Sequence, residues 1–350
     1  MRRNVTMKIG SAGVLGGLLL AAQITASAQK ALTLGGFDST RGGEFSLAQG
    51  SQLSALRSAI ATTYPYATLT ASPTLTTTYL DTVNVLLISS IYSESISIAS
   101  PLSTSEQDAL AGFVERGGIA LLFVDEDVSI STAVSNSFVS PFGIHVTGQS
   151  SSYLTTVTPT GPSLPVLDGP LENITQYQTV SDGWFDVTGS STVLATIVGN
   201  TGGTVPELLY LTKSSLCSVY KGIAVVSGDS SMLDNLFITS DDQNLVLNAI
   251  GLGIPVSAVT LSPKSVKGGH STTGNTVSLA FAAPGTGIKV NLTSSNPAVA
   301  SVPSSVTVPG GSPVSPDFGI VTTSVAANTN VTITATYATG SKTANLTVVP

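Results

Sequence analysis

Eleven consecutive residues constrain this chain more than any others: Gly117-Gly118-Ile119-Ala120-Leu121-Leu122-Phe123-Val124-Asp125-Glu126-Asp127. Two glycines release an unbroken apolar run, and the run stops at three acids. A short apolar run without alternation suits a strand buried on both faces, as in the middle of a parallel sheet. The acids then stand at the carboxyl end of that strand, the edge where open α/β sheets bind ligands.

Neighbouring segments extend the pattern. Residues 31–34 read as a first strand and 66–70 as a second, with Val83-Asn84-Val85-Leu86-Leu87-Ile88 as a third. Between the first two, Leu53, Leu56 and Ile60 recur at helical spacing, with Ala59 on the same side, and Tyr64-Pro65 ends that helix. Ser103 and Glu106 form a capping box ahead of Ala109, Leu110, Phe113 and Val114, the apolar face of a helix that ends at Gly117-Gly118. Strand alternating with helix predicts right-handed β-α-β units and a mainly parallel sheet. Looser strands follow at 153–158, 174–180, 192–198 and 207–211. The run Gly222-Ile223-Ala224-Val225-Val226-Ser227-Gly228-Asp229 restores the rhythm with another buried strand ending in an acid. Ser240 and Gln243 predict a second capping box, for a helix closing near Gly253-Ile254-Pro255.

After residue 255 the period changes to two. Val277/Leu279/Phe281, Ile288/Val290/Leu292, Val331/Ile333/Ala335/Tyr337 and Ala344/Leu346/Val348 alternate with polar residues between Gly/Pro turns, which predicts a small β-sandwich. A chain of 350 residues accommodates two such units. The reading is an α/β, mainly parallel domain over 29–255 and an all-β sandwich over 256–350.

The first 28 residues read as a signal peptide. Arg2, Arg3 and Lys8 supply a basic start, residues 9–22 an apolar stretch too short for comfortable spanning, and Ala26-Ser27-Ala28 a small-x-small cleavage pattern. The expectation is an exported protein, whether periplasmic, at the cell surface or secreted, with no stable membrane insertion after cleavage. Losing those three basic residues from 13 leaves 10 against 20 acids, a net charge of −10. An acidic surface argues against nucleic acid and anionic membranes as partners. Cys217 is the only cysteine, so no intrachain disulfide forms.

Several residues invite chemistry. Asp38, Asp125, Asp127 and Asp229 all fall at predicted strand ends, where converging carboxylates would suit a hard divalent cation such as Ca²⁺ or Mg²⁺. The competing reading makes them helix caps and loop residues. The glycine-rich stretch 35–43 matches neither phosphate-binding spacing. Ser230, after Gly228-Asp229, would need a base, and His145 is the one candidate. Cys217 has neither elbow glycines nor a nearby base, and Trp184-Phe185 reads as core before it reads as a sugar platform. His270 lies in a polar loop, and the N-x-[ST] triplets at Asn173, Asn291, Asn330 and Asn345 carry meaning only in a glycosylating host.

The C-terminal part resembles a bacterial immunoglobulin-like domain of secreted and surface proteins. Its carriers are Val259-Thr260-Leu261-Ser262-Pro263, the stretch 290–303 around Thr293-Ser294-Ser295-Asn296-Pro297, and the closing Ala344-Asn345-Leu346-Thr347-Val348. The resemblance implies a spacer or adhesion module. The first part resembles the class I glutamine-amidotransferase-like, flavodoxin-like fold of exported bacterial proteins. The carriers are Gln107 to Gly118 with the strand after it, Leu164-Pro165-Val166-Leu167-Asp168-Gly169-Pro170, and Val225-Val226-Ser227-Gly228-Asp229-Ser230. That family places a cysteine nucleophile on a strand-to-helix elbow, with a later histidine as base. Here the equivalent turn is Asp125-Glu126-Asp127, so no catalytic residue carries over. The expected function is an exported, non-catalytic protein that binds an extracellular ligand, glycan or protein and requires no cofactor. The alternatives are a metal-dependent hydrolase using the acidic edge and a structural spacer.

Overall fold

In the computed structural model the described residues are 30–93, 97–98, 100–125, 132–149, 154–180, 183–187, 191–199, 202–212, 221–338 and 340–350. The expected signal peptide, Glu126, Asp127 and Cys217 lie outside them.

The first elements are β1 (Thr33–Phe37), α1 (Ser39–Gly42), α2 (Ser54–Thr63), β2 (Thr68–Ser72), α3 (Thr77–Leu80), β3 (Val85–Ser89), β4 (Ile91–Ser93), β5 (Ser97–Ile98), α4 (Thr104–Glu115), β6 (Ile119–Phe123) and α5 (Thr132–Val139). The strands β7 (Ile144–Gln149), β8 (Leu154–Val157), β9 (Tyr177–Val180), β10 (Gly183–Val187), β11 (Thr192–Val198), β12 (Thr204–Leu211) and β13 (Ile223–Ser227) follow, and then α6 (Ser240–Gly251). The chain closes with β14 (Val256–Thr260), β15 (Ser265–Lys267), β16 (Ser271–Leu279), β17 (Ile288–Ser294), β18 (Ala300–Ser301), β19 (Ser305–Val308), β20 (Phe318–Thr322), β21 (Thr329–Tyr337) and β22 (Gly340–Val349).

Seven strands form the largest sheet, in the order β11-β12-β13-β6-β3-β1-β2. From β13 to β2 the pairs are parallel, but β12 runs antiparallel to β13 and β11 antiparallel to β12. The pairs β7–β10, β8–β9 and β4–β5 make further small antiparallel sheets. These findings correct the expected fold class. Strand outweighs helix along the chain, the large sheet is mixed, and antiparallel sheets surround it, so the structure is mostly β and not a flavodoxin-like α/β domain with an appended immunoglobulin-like sandwich. The physical reason is plain. An unalternating apolar strand reports burial on both faces and says nothing about direction; the buried Leu208, Leu209, Tyr210 and Leu211 occupy an antiparallel strand.

Local chemistry explains why the elements begin and end where they do. The capping box at α4 forms as expected: Glu106 accepts from the Ser103 N–H at 2.9 Å. The helix ends at Gly117, whose φ of +111° suits glycine. At Gly118 a Cβ would lie 2.3 Å from the Phe113 ring, so the second glycine lets the helix fold back onto β6. The α6 capping box sits one residue earlier than the sequence suggests. Thr239 is the cap, and Asp242 closes the box.

Beyond α6 the strands form two sheets, β14-β16-β20-β18 and β15-β22-β21-β17-β19. Their inner residues, among them Val277, Ile320, Val290 and Ile333, belong to one apolar core that also holds Leu34, Leu121, Val225 and Ile250. A second core, under α4 and α5 on the other face of the large sheet, includes Leu86, Leu110, Leu122, Phe138 and Val226. Successive residues of β3 and β6 alternate between these two cores.

Candidate functional site

The carboxyl ends of β6 and β13 are adjacent, because the two strands pair in register from Ile119/Ile223 to Phe123/Ser227. Asp125 and Asp229 follow directly, so the structure does bring these two together. Asp125 is 3% exposed and Asp229 0%. The Ser230 hydroxyl donates to Asp125 Oδ2 at 3.1 Å, and Ser135 bridges the Asp125 backbone. Asp229 takes the Val180 N–H on Oδ2 at 2.9 Å and the Ser231 N–H on Oδ1 at 2.7 Å. Those backbone donors stabilise a carboxylate and use both its oxygens to hold β9 and the turn after β13 against the sheet.

Asp38 stands apart. It caps α1, accepting from the Thr40 N–H at 3.0 Å, the Thr40 hydroxyl at 2.6 Å and the Arg41 N–H at 3.3 Å. Its strand is separated from β6 by β3, and two strand spacings come to about 10 Å. Asp127 lies outside the described residues. Among the described residues no three His, Cys, Asp or Glu side chains are grouped to hold a metal ion.

Sequence reasoning missed another fully buried acid in this region. Glu207, on β12, is fully buried and receives hydrogen bonds from the Tyr177 hydroxyl and, at 2.7 Å, from the Ser227 hydroxyl. Burial pushes its pKa up. The two hydroxyl bonds and a backbone N–H oppose that, while Asp242 adds to it. Asp242 is likewise raised by burial, against the N–H groups of Gln178 and Thr239 that favour its charged form. No cation faces either group among the contacts described, so hydroxyl and amide donors carry the solvation that water would otherwise provide. The available signal was an acid leading into the apolar run Leu208-Leu209-Tyr210-Leu211.

A second missed feature joins three segments on the other side of β1. The Arg41 guanidinium pairs with Glu106 and also donates to the Pro73, Ser100 and Pro101 carbonyls. It stacks 4.4 Å from the Phe37 ring centroid. Burial alone would raise the Glu106 pKa, but the Arg41 bond together with the Ser103 and Leu75 N–H groups lowers it to about 2.

The remaining sequence candidates resolve individually. His145 is exposed on β7, in register with Asp186, and the Ser230 hydroxyl is directed at Asp125. Ser230 is itself 0% exposed. Phe185 is buried in the core beneath α4 and α5, and Trp184 packs partly buried against the main core. His270 is exposed. Open concavity exists elsewhere: a cleft of about 530 Å³ lies between the 163–170 loop and the outer face of β17, β19 and β21.

No protein-family model matches the chain, and no curated protein matches it. Weakly similar solved structures include the following two. An exo-β-1,4-mannosidase from Opitutaceae bacterium strain TAV5 aligns at TM-score 0.39 and 12% identity, over 63% of this chain and 36% of that one. A cytoplasmic protein from Salmonella typhimurium aligns at TM-score 0.37 and 10% identity, over 63% of this chain and 98% of that one. Both likenesses are too slight to carry function, and neither bears on the amidotransferase resemblance. No helix among the described residues is long and apolar enough to cross a membrane.

Proposed function

We propose that this protein is an exported, non-catalytic binding protein, in which residues 29–255 form a body and residues 256–350 a presenting module. One observation carries the reading. The described carboxylates at the strand ends are engaged by their own chain: Asp38 by the first turn of α1, Asp229 by Val180 and Ser231, and Asp125 by Ser230. A hydrolytic metal site needs carboxylate oxygens aimed at a common point, with a position open for water. A serine nucleophile must be open to substrate, and Ser230 is fully buried with its hydroxyl donating to Asp125. Nothing in this geometry favours the metal-dependent hydrolase, and the binding reading requires no cofactor.

The test is a hydrolysis screen of the full chain on p-nitrophenyl esters and phosphates, with manganese, calcium or EDTA, beside Asp125→Asn. The reading expects rates equal to those of the variant under every condition. Turnover that depends on metal and is abolished in Asp125→Asn would overturn it.

A further inference from the structure

Residues 29–255 carry six basic side chains, of which Lys213 lies outside the described residues. Arg41 is taken up by Glu106, and the Arg57 guanidinium donates to the Leu47 and Gly50 carbonyls. The other three, Lys30, Arg116 and Lys221, all line one cleft of about 550 Å³. Asp81 is the single acid among its lining residues, and it pairs with Arg116 at 2.9 Å. Three cations against one acid leave the cleft with a net charge of +2, on a chain whose acids outnumber its bases.

Strand register explains the convergence. Leu34, Val85, Ile119 and Ile223 stand level across β1, β3, β6 and β13. Lys221 comes two residues before Ile223, Arg116 three before Ile119 and Lys30 four before Leu34. Each cation therefore sits at the amino edge of the parallel strands, the opposite edge from Asp38, Asp125 and Asp229. From β13 to β1 is three strand spacings, about 14 Å, with a lysine at each end and Arg116 between. Lys30 is fixed by the second part of the chain, its Nζ lying 5.4 Å from the Phe281 ring centroid. Lys221 is seated beside Gly117, its N–H donating to the Glu115 carbonyl at 3.3 Å. The floor is apolar, built by Phe113, Ile119, Leu252 and Phe281. The cleft thus opens where residues 29–255 meet residues 256–350, and junctions of this kind with volumes of this size commonly hold small molecules.

We infer that this cleft binds an elongated organic dianion, two acidic groups joined by an apolar body. The inference rests on the binding-protein reading and gives it a place and a ligand class. Neither ion pair found among the described residues involves Lys30 or Lys221, so each is open to one acidic group of the ligand. The apolar floor between them suits the body. An inorganic anion would leave that floor uncovered, and a monoanion would leave one lysine unmatched. A nucleic acid would meet repulsion from the acidic surface around the cleft.

Isothermal titration calorimetry of the full chain with suberate tests the proposal. Octanoate, 1,8-octanediol and inorganic phosphate serve as comparison ligands, at about 50 mM and about 200 mM salt. The proposal expects suberate binding that weakens with salt, and affinities at least about tenfold lower for the other three. Lys30→Gln and Lys221→Gln should each weaken suberate binding about fivefold, and the double variant should bind it no better than the diol. Asp81→Asn frees Arg116 and should tighten binding about threefold. All three positions are exposed, and circular dichroism verifies that the fold is kept. Absence of suberate binding, unchanged binding in the double variant, or equal binding of octanoate or phosphate would overturn the assignment. Self-association abolished by the lysine substitutions would also overturn it, in favour of an acidic surface of a second copy as occupant. Metal-dependent turnover lost in Asp125→Asn would sink the non-catalytic reading at the other edge of the sheet, so the two failures are distinguishable.

Discussion

The Arg41–Glu106 pair offers the sharpest energetic prediction. Replacing Glu106 by glutamine keeps the size of the side chain but only one acceptor oxygen, for either the Leu75 N–H on Oε1 or the Ser103 N–H on Oε2, and removes the charge facing Arg41. Two routes give the magnitude. The fall of the Glu106 pKa from 4.5 to about 2 corresponds to about 3 kcal/mol of stability at neutral pH. Breaking a buried ion pair by neutralising one partner costs about 3–5 kcal/mol, because the other charge is left uncompensated. Both side chains are nearly closed to solvent, at 10% and 11% exposure, so little screening applies. The sign follows from a depressed carboxylate. Its stabilisation is complete well above pH 4.5 and is lost as the pH falls through about 2. Between pH 7 and pH 3 the contribution of Glu106 therefore falls by about 2 kcal/mol. Urea unfolding of the full chain and of Glu106→Gln at both pH values is the assay. The expected result is a variant about 3 kcal/mol less stable at pH 7, with the gap narrowing by about 2 kcal/mol at pH 3. A variant within about 0.5 kcal/mol of the parent at pH 7, or a gap unchanged by acid, would refute the reasoning.

Glu207 predicts the opposite response. Its pKa is raised by burial, so its penalty grows as the pH rises from the unfolded-state carboxylate value towards the raised one. Glu207→Gln should therefore equal the parent in acid and gain on it as the pH rises in the same urea assay; a variant less stable at pH 8 than at pH 5 relative to the parent would contradict this. Asp38→Ala should cost about 1 kcal/mol through loss of the α1 cap, measured by chemical unfolding at pH 7, while leaving any response to added cations unchanged.

Much of the scaffold was legible because local rules acted alone. Ser103 with Glu106, and Gly117 after the helix, are signals whose partners lie within one turn, and α4 obeys them. Strand direction was not legible: β12 presents a buried run much like those of β6 and β13 but pairs antiparallel, a choice made by the path of the chain between 132 and 211. At the acidic edge, position along the chain correctly placed Asp125 beside Asp229 and gave no information about what each carboxylate accepts. Val180 and Ser135, which hold the two acids, come from β9 and α5 and have no sequence relation to either. Glu207 went unnoticed for the same reason, since its partners Tyr177 and Ser227 lie 30 and 20 residues away.

The most direct test of the account is thermal unfolding of the full chain in EDTA and then in calcium, magnesium or manganese. A cation bound at about a hundredfold over its Kd would add about 2.7 kcal/mol. For a chain of this length that is a shift of about 4 °C. The account predicts no shift with any of the three ions, because Asp38, Asp125 and Asp229 are already engaged from within. A shift of that size which disappears in Asp125→Asn would contradict it and make the edge of the sheet a metal site.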